Sequence, residues 1–513
     1  QAGNYKDNQK KSFEKDIKLL VEKVLNRAQT IDVDELAKND EQTEQGVIAE
    51  DDGIKRVEIK DEAIADAIKL IDETYEKLKD VLEKKGFSEI SATVLSRGKE
   101  IRIVTASEKS KALSLDLTVK SFDDLSSKEI AIVIDKGEEE GTVFIIPPKA
   151  LDFEYITRFL KDAGKEVNSN EKIEELQKRK VSVVIKKVEG KGNQEYIQAA
   201  NGEEKGGAAF IAASDVFDLY IMLMETDCYG NKSNDAASDI TKSINTNDNE
   251  DGIYIGKFNK KLTIELPLDG EIVKVIIDKA GNANKVNKEK LGVYRYNPDL
   301  KQWDYVGGRV NPDTGGISFR TDSLSTYSVY EYNKTFKDIE KNWAREYIEV
   351  LASKHIVHGV NDESFQPGRN VTRAEFTKML LEALDLVDPD ADAAFTDVGK
   401  NTWYYKYVAT AQKLDIVKGL AGNCFNPEEI LTRQDMALMT CRAVEAAGIG
   451  LPEVKEYKEF ADSEKIANYA KEAVRALQQA SILEGTGKNM FFPNNSSARA
   501  EAAKIIYMII QKL

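Results

Sequence analysis

Three arginines near the C-terminal end hold one register. Arg373, Arg433 and Arg499 each follow a proline by six residues and precede a carboxylate by two. Each opens a segment, Thr372-Arg-Ala-Glu375, Thr432-Arg-Gln-Asp435 or Ala498-Arg-Ala-Glu501, that reads as the first turn of a helix. A cation there opposes the helix dipole, which favours Asp or Glu at that end. Two kinds of chemistry account for it: the guanidinium pairs with a carboxylate elsewhere in the array, or it faces an anionic ligand through its planar fork. On the residues alone both readings stand.

The arginines belong to a pattern of about sixty residues that occurs three times, the signature of a modular array. Ahead of Arg373 stand Phe336-x-Asp338, Trp343, Gly359 and Phe365-x-Pro367. The second copy has Phe395-x-Asp397, Trp403, Gly419 and Phe425-x-Pro427, and the third has Phe460-x-Asp462, Tyr469, Gly485 and Phe491-x-Pro493. Each copy reads as helix, loop, helix. In the first, Trp343, Tyr347, Val350 and Leu351 share one helical face, and Phe376, Met379 and Leu380 line the second helix. Thr372 and Glu375 form a capping box, Thr432 and Asp435 a weaker one, and Ala498 lacks the capping oxygen. Units that bury their faces only against neighbours point to attachment rather than catalysis.

With its Thr-Arg-Ala-Glu segment the pattern resembles the surface-layer homology (SLH) domain, found as three tandem copies at one end of bacterial cell-surface proteins. The resemblance covers residues 335–513. It implies an all-α pseudo-threefold array whose grooves bind a secondary cell-wall polysaccharide bearing pyruvate ketals. Position by position, it implies ligand contacts at Asp338, Trp343, Gly359 and Arg373, and at Asp397, Trp403, Gly419 and Arg433. In the third copy it implies Asp462, Gly485 and Arg499, with Tyr469 where tryptophan is expected. In these roles the arginine holds the ketal carboxylate and the indole covers the apolar face of a sugar ring. The aspartate accepts from hydroxyl or acetamido groups, and the glycine lets the polymer approach the backbone. The structural alternatives are core packing for the tryptophans and helix capping for the aspartates. Tyr469 and Ala498 make the third copy irregular, so the first two grooves are expected to carry most of the affinity.

The remaining sequence must present this array. Residues 1–86 read as a helical region, with Leu19, Leu20, Val24 and Leu25 on one face of a first helix. Ile64, Ala67, Ile68, Ile71, Tyr75, Leu78 and Leu82 stripe a second, and acidic residues 41–53 read as the loop between them. Residues 87–226 read as an α+β domain, with strands at 101–104, 113–119, 130–134, 143–146 and 181–185 and helices near 153–164 and 170–179. Residues 227–334 read as a polar linker and a small β-sandwich-like domain, similar to the β-domain that often precedes such repeats in clostridial-type surface proteins. Repeats at 335–389, 390–451 and 452–513 complete a multi-domain α+β chain.

Composition narrows the function. A chain of 513 residues is too long for one core. A net charge of −16 argues against a nucleic-acid partner. Cys228, Cys424 and Cys441 make neither a disulfide framework nor a metal spacing. No apolar run approaches the ~18 residues of a membrane span. The chain opens at Gln1, as a mature form with its signal peptide removed or a fragment of something longer does. The two histidines, His355 and His358, lie in the first repeat, so residues 1–334 hold no His-dependent triad and no His-ligated zinc. A carboxylate pair for glycan hydrolysis stays open. Asp248 to Gly252 is the best calcium-loop candidate, but it lacks the EF-hand spacing and reads as solvated linker. The expectation is a secreted, non-enzymatic S-layer or S-layer-associated protein without a resident cofactor, held at the wall by its array and packed against copies of itself in a two-dimensional lattice. The alternative is an SLH-anchored enzyme or adhesin whose head is residues 1–334 or lies upstream.

Overall fold

The computed structural model of this chain describes residues 17–33, 46–51, 54–87, 99–104, 112–135, 142–165, 170–188, 209–224, 252–268, 276–277, 283–284, 286–312, 314–419 and 422–512. The chain divides into two compact units. One comprises Gln1–Gly202, Ala212–Val286 and Leu291–Tyr330, the other Glu203–Ile211, Asn287–Lys290 and Glu331–Leu513.

The first unit is built on two sheets. One runs in the spatial order Thr30–Asp32, Lys99–Val104, Ile130–Asp135, Val143–Ile146, Lys257–Leu266, Ile317–Ser323 and Arg309–Val310. Its first three strands are parallel, and the pairings beyond them are antiparallel. The other follows the order Gln302–Gly307, Leu291–Asn297, Thr326–Asn333, Phe217–Met224, Lys180–Lys187, Ala112–Thr118, Ile54–Ile59 and Gly46–Asp51. Alternate residues face inward: Ile101, Ile103, Ile132 and Ile134 from one sheet, Leu113, Leu115, Val183 and Ile185 from the other, share a single buried core. Helix α1 (17–29) and helix α2 (Asp61–Lys84) add to it, α2 burying Ile64, Ile68, Ile71, Tyr75 and Leu82 of its expected stripe. Thr118 and Asp152 cap α3 (Val119–Ser127) and α4 (Phe153–Asp162) by accepting from the Ser121 and Tyr155 N–H groups, and α5 (Asn170–Lys178) follows.

Three expectations change here. Residues 1–86 are not a helical region, because Gly46–Asp51 and Ile54–Ile59 pair as antiparallel strands across what read as an acidic loop. The second of these also pairs in parallel with Ala112–Thr118, a partner far along the chain that local periodicity does not reveal. On α1, Val21 and Leu25 are the buried pair, while Leu19, Leu20 and Val24 face outward. Nor is there a separate β-sandwich within 227–334. Among the described residues its strands continue the same two sheets as those of 99–224, Lys257–Leu266 beside Val143–Ile146 and Thr326–Asn333 beside Phe217–Met224. The polar linker lies outside the described residues, as does the calcium-loop candidate except for Gly252. Among the described residues no helix is long and apolar enough to cross a membrane.

The second unit holds helices α6 (Arg345–Ser353), α7 (Arg373–Ala383), α8 (Tyr405–Lys413), α9 (Arg433–Ala446), α10 (Lys471–Gln479) and α11 (Arg499–Ile510) around one core. Here α8 packs on α7, α10 on α9 and α6 on α11. The first helix of each repeat therefore rests on the second helix of another. Bridges Thr372↔Ile430, Thr432↔Ser496 and Asn370↔Ala498 tie the loops in the same cyclic order. Lys290 joins this unit through an ion pair with Glu349 at 3.1 Å.

Candidate functional site

The aspartates of the three copies hold the loops that the arginines meet. Asp338 Oδ1 accepts from the Phe365 N–H at 2.9 Å, and Oδ2 accepts from the Gln366 N–H and the Ser364 hydroxyl, each at 2.7 Å. Asp397 takes the Phe425 and Asn426 N–H groups at 2.7 Å, and Asp462 takes those of Phe491 and Phe492 at 2.7 Å. Gln366, Asn426 and Phe492 all lie in the left-handed region, with φ of 57°, 56° and 56°. Each aspartate thus clamps a turn that its residues resist. Burial raises the Asp338 and Asp397 carboxyls, but the N–H bonds outweigh it and hold both below the usual range. They cap no helix, since Ala344 and Tyr404 occupy the N-cap positions of α6 and α8.

The glycines serve the same loops. A Cβ at Gly359 would stand 2.5 Å from Phe336 Cε1, one at Gly485 2.8 Å from Phe460 Cε1, and one at Gly419 3.2 Å from Phe395 Cε1. The neighbour common to all three glycines is the chain's own phenylalanine ring, which leaves little room for a larger residue. This packing role stands beside the polymer contact that the resemblance implies.

Each arginine crosses to another repeat. The Nε of Arg373 donates to the Phe425 carbonyl at 2.9 Å, that of Arg433 to Phe491 at 2.9 Å, and that of Arg499 to Phe365 at 3.0 Å. The guanidiniums also lie over those phenylalanine rings, at 5.0, 5.3 and 4.4 Å from the centroids. This resolves the conflict with the helix dipole: the charge is carried away from its own helix to a carbonyl of another repeat. Arg433 also pairs with Glu501 at 2.7 Å and Arg499 with Glu375 at 3.3 Å. Burial lowers the pKa of Arg373 and Arg499, against the pull of nearby carboxylates.

Trp343, Trp403 and Tyr469 are 59%, 53% and 55% exposed, so none is a core residue. Tyr469 donates its hydroxyl to Asp435 Oδ1 at 2.8 Å. Burial and then that bond push its pKa up to about 12. Trp403 and Trp343 stand just ahead of α8 and α6, which pack on α7 and α11 as α10 packs on α9.

These contacts regroup the candidate residues. Arg373 belongs with Asp397, Phe425 and Asp435 of the second copy and with Tyr469 of the third, rather than with Asp338, Trp343 and Gly359 of its own. Each arginine junction joins residues of different copies, so the third copy's irregular tyrosine bears on the Arg373 junction rather than on that of Arg499. A cavity of 690 Å³ beside Phe336, Lys337, Arg345 and Glu363 is lined by none of the twelve candidates.

His355 and His358 have their ring centroids 6.5 Å apart, and among the described residues no third metal-ligating side chain joins them. His355 follows α6 with φ of 54° and stacks on Tyr332 at 4.8 Å. Burial, then the neighbouring His358, lowers its pKa from 6.5 to about 4, and burial also lowers His358. Between these values the unfolded chain binds a proton that the folded repeat refuses. Its stability is therefore complete above pH 6.5 and falls as pH drops towards 4. His355→Asn, whose side chain tolerates the left-handed backbone, is expected to flatten this slope in urea titrations. An unchanged slope would assign the acid sensitivity to His358 and the carboxylates.

The family described as the S-layer homology domain matches residues 335–377, 394–437 and 459–503. The chain carries three SLH domains. Such domains bind cell-wall polysaccharide, and they make this a cell-surface protein anchored to the wall. The chain is similar to the amylopullulanase of Thermoanaerobacterium thermosulfurigenes, 37% identical over 267 residues, 51% of this chain and 14% of that protein. It is similar to the exoglucanase XynX of Acetivibrio thermocellus, 35% identical over 210 residues, 41% of this chain and 19% of that one. Against the S-layer protein sap of Bacillus anthracis it is 33% identical over 177 residues, 34% of this chain and 21% of that protein. The chain thus spans under a quarter of the length of each of these relatives. The amylopullulanase match is longer than residues 335–513, so it takes in residues ahead of the SLH domains. Amylopullulanase and exoglucanase are enzymes, and this overturns the expectation of a non-enzymatic protein. That expectation rested on the attachment array, with its resemblance to S-layer anchors, and on the lack of His-dependent sites in residues 1–334, none of which bears on a carboxylate pair.

Proposed function

We propose that the SLH domains form a pseudo-threefold array that binds secondary cell-wall polysaccharide through its pyruvate ketals. The observation that carries this reading is the exposure of Trp343, Trp403 and Tyr469 in one register of a well-packed unit, the last of them beside a guanidinium. Large aromatics left in water need a partner, and a sugar ring offers an apolar face to cover them. The triple replacement Trp343→Ala, Trp403→Ala, Tyr469→Ala removes no core side chain. It is expected to lower affinity for purified wall polysaccharide by at least about tenfold, at roughly 0.5–1 kcal/mol for each ring. Stripping pyruvate from the polymer should do the same to the parent chain. Unchanged binding in both experiments would sink this reading.

Two roles for the whole protein follow from its relatives. The S-layer relative supports a lattice subunit, contacting its copies through the first unit. The amylopullulanase match supports an anchored glycan-acting protein, and it extends past the SLH domains where the S-layer match is short enough to lie within them. Ordered sheets on dialysis from denaturant, seen by electron microscopy, would favour the first role. Release of reducing sugar from wall or plant glycans without sheet formation would favour the second.

A further inference from the structure

The three junctions differ in how completely the arginine is occupied. At the second, Arg433 Nη1 binds Glu501 at 2.7 Å and Nη2 faces the Glu484 carbonyl at 3.5 Å. Lys504 pairs with Glu484 at 2.9 Å, so the charges there are matched. At the third, Arg499 Nη1 binds Glu375 at 3.3 Å and Nη2 the His358 carbonyl at 2.8 Å. At the first, Arg373 Nε reaches the Phe425 carbonyl at 2.9 Å, and among the described residues its terminal amino groups meet neither a carboxylate nor a carbonyl.

The cause lies in two side chains. Asp435 stands where the other junctions have Glu501 and Glu375, and it is one methylene shorter. Both its oxygens are engaged, Oδ1 by the Tyr469 hydroxyl at 2.8 Å and Oδ2 by the Thr432 hydroxyl at 2.5 Å. We propose that the Arg373 junction is the primary carboxylate site for the wall polymer, and that Tyr469 keeps it open by holding Asp435 away from the guanidinium. This rests on the anchoring function proposed above. A carboxylate approaching Arg373 sheds water and finds two amino groups of a planar fork, with an exposed ring beside them. At Arg433 or Arg499 it must first displace a part-buried glutamate. The tyrosine that makes the third copy irregular is then what frees the first copy's arginine.

The test is calorimetric titration of the full chain with purified pyruvylated wall polysaccharide, and with the same polymer after mild acid has removed pyruvate. Asp435→Glu restores the longer carboxylate and is expected to weaken binding of the pyruvylated polymer about tenfold, with an equal or higher melting temperature. Tyr469→Phe should weaken it in the same direction, because the released Asp435 turns to Arg373. Arg433→Lys, at an occupied junction, should cost less than about threefold. If the parent chain binds the polymer and both Asp435→Glu and Tyr469→Phe bind as tightly, the inference is overturned. A parent chain that binds neither form of the polymer overturns the anchoring function instead.

Discussion

Arg499→Ala is expected to destabilise the repeat array by about 3–5 kcal/mol, the cost of stripping one partner from a buried ion pair. In a unit of this size that is roughly 10 °C in melting temperature. The side chain is 9% exposed and serves three acceptors, the Phe365 and His358 carbonyls and Glu375. Its loss leaves all three short of a donor between the last repeat and the first, the contact on which cyclic closure depends. Arg373→Ala gives up one carbonyl bond and should cost about 1 kcal/mol. Calorimetry on the two variants separates them. Equal losses would mean that the ion pair with Glu375 contributes little.

Gly359→Ala is the second large effect, at about 3 kcal/mol by overpacking. The new Cβ would meet the Asn361 carbonyl oxygen at 2.3 Å, Phe336 Cε1 at 2.5 Å and the Ser364 carbonyl oxygen at 2.7 Å. Two of these are backbone atoms of the turn that Asp338 clamps, so they cannot rotate aside. At Gly419 the nearest atom is the Asn423 side-chain oxygen at 3.0 Å, and the same substitution should cost about 1 kcal/mol. Thermal melts of the two alanine variants test this difference between positions that are identical in the repeat. Similar melting temperatures would show that the first loop relaxes as easily as the second.

What could be read from residue order was what depends on near neighbours. Alternation located Lys99–Val104, Ala112–Thr118 and Ile130–Asp135, and the Thr372–Glu375 box located the start of α7. Gly46–Asp51 escaped because an acidic strand looks like a loop until a partner is known. The pairing of Lys257–Leu266 with Val143–Ile146 escaped for the same reason, as strand pairing is a contact between distant segments that leaves no mark in either one.

The candidate site divides along the same line. By itself the sequence determined that there are three equivalent positions for an arginine, an aromatic residue, an aspartate and a glycine, because each is set by spacing within a copy. Only the tertiary structure decided which of them act together. It sent each arginine into another repeat, turned the aspartates into loop clamps, and set Tyr469 beside the guanidinium of Arg373. The physical reason is that a helical repeat cannot bury its own apolar face. Its faces close on neighbours, and the site forms where unlike copies meet.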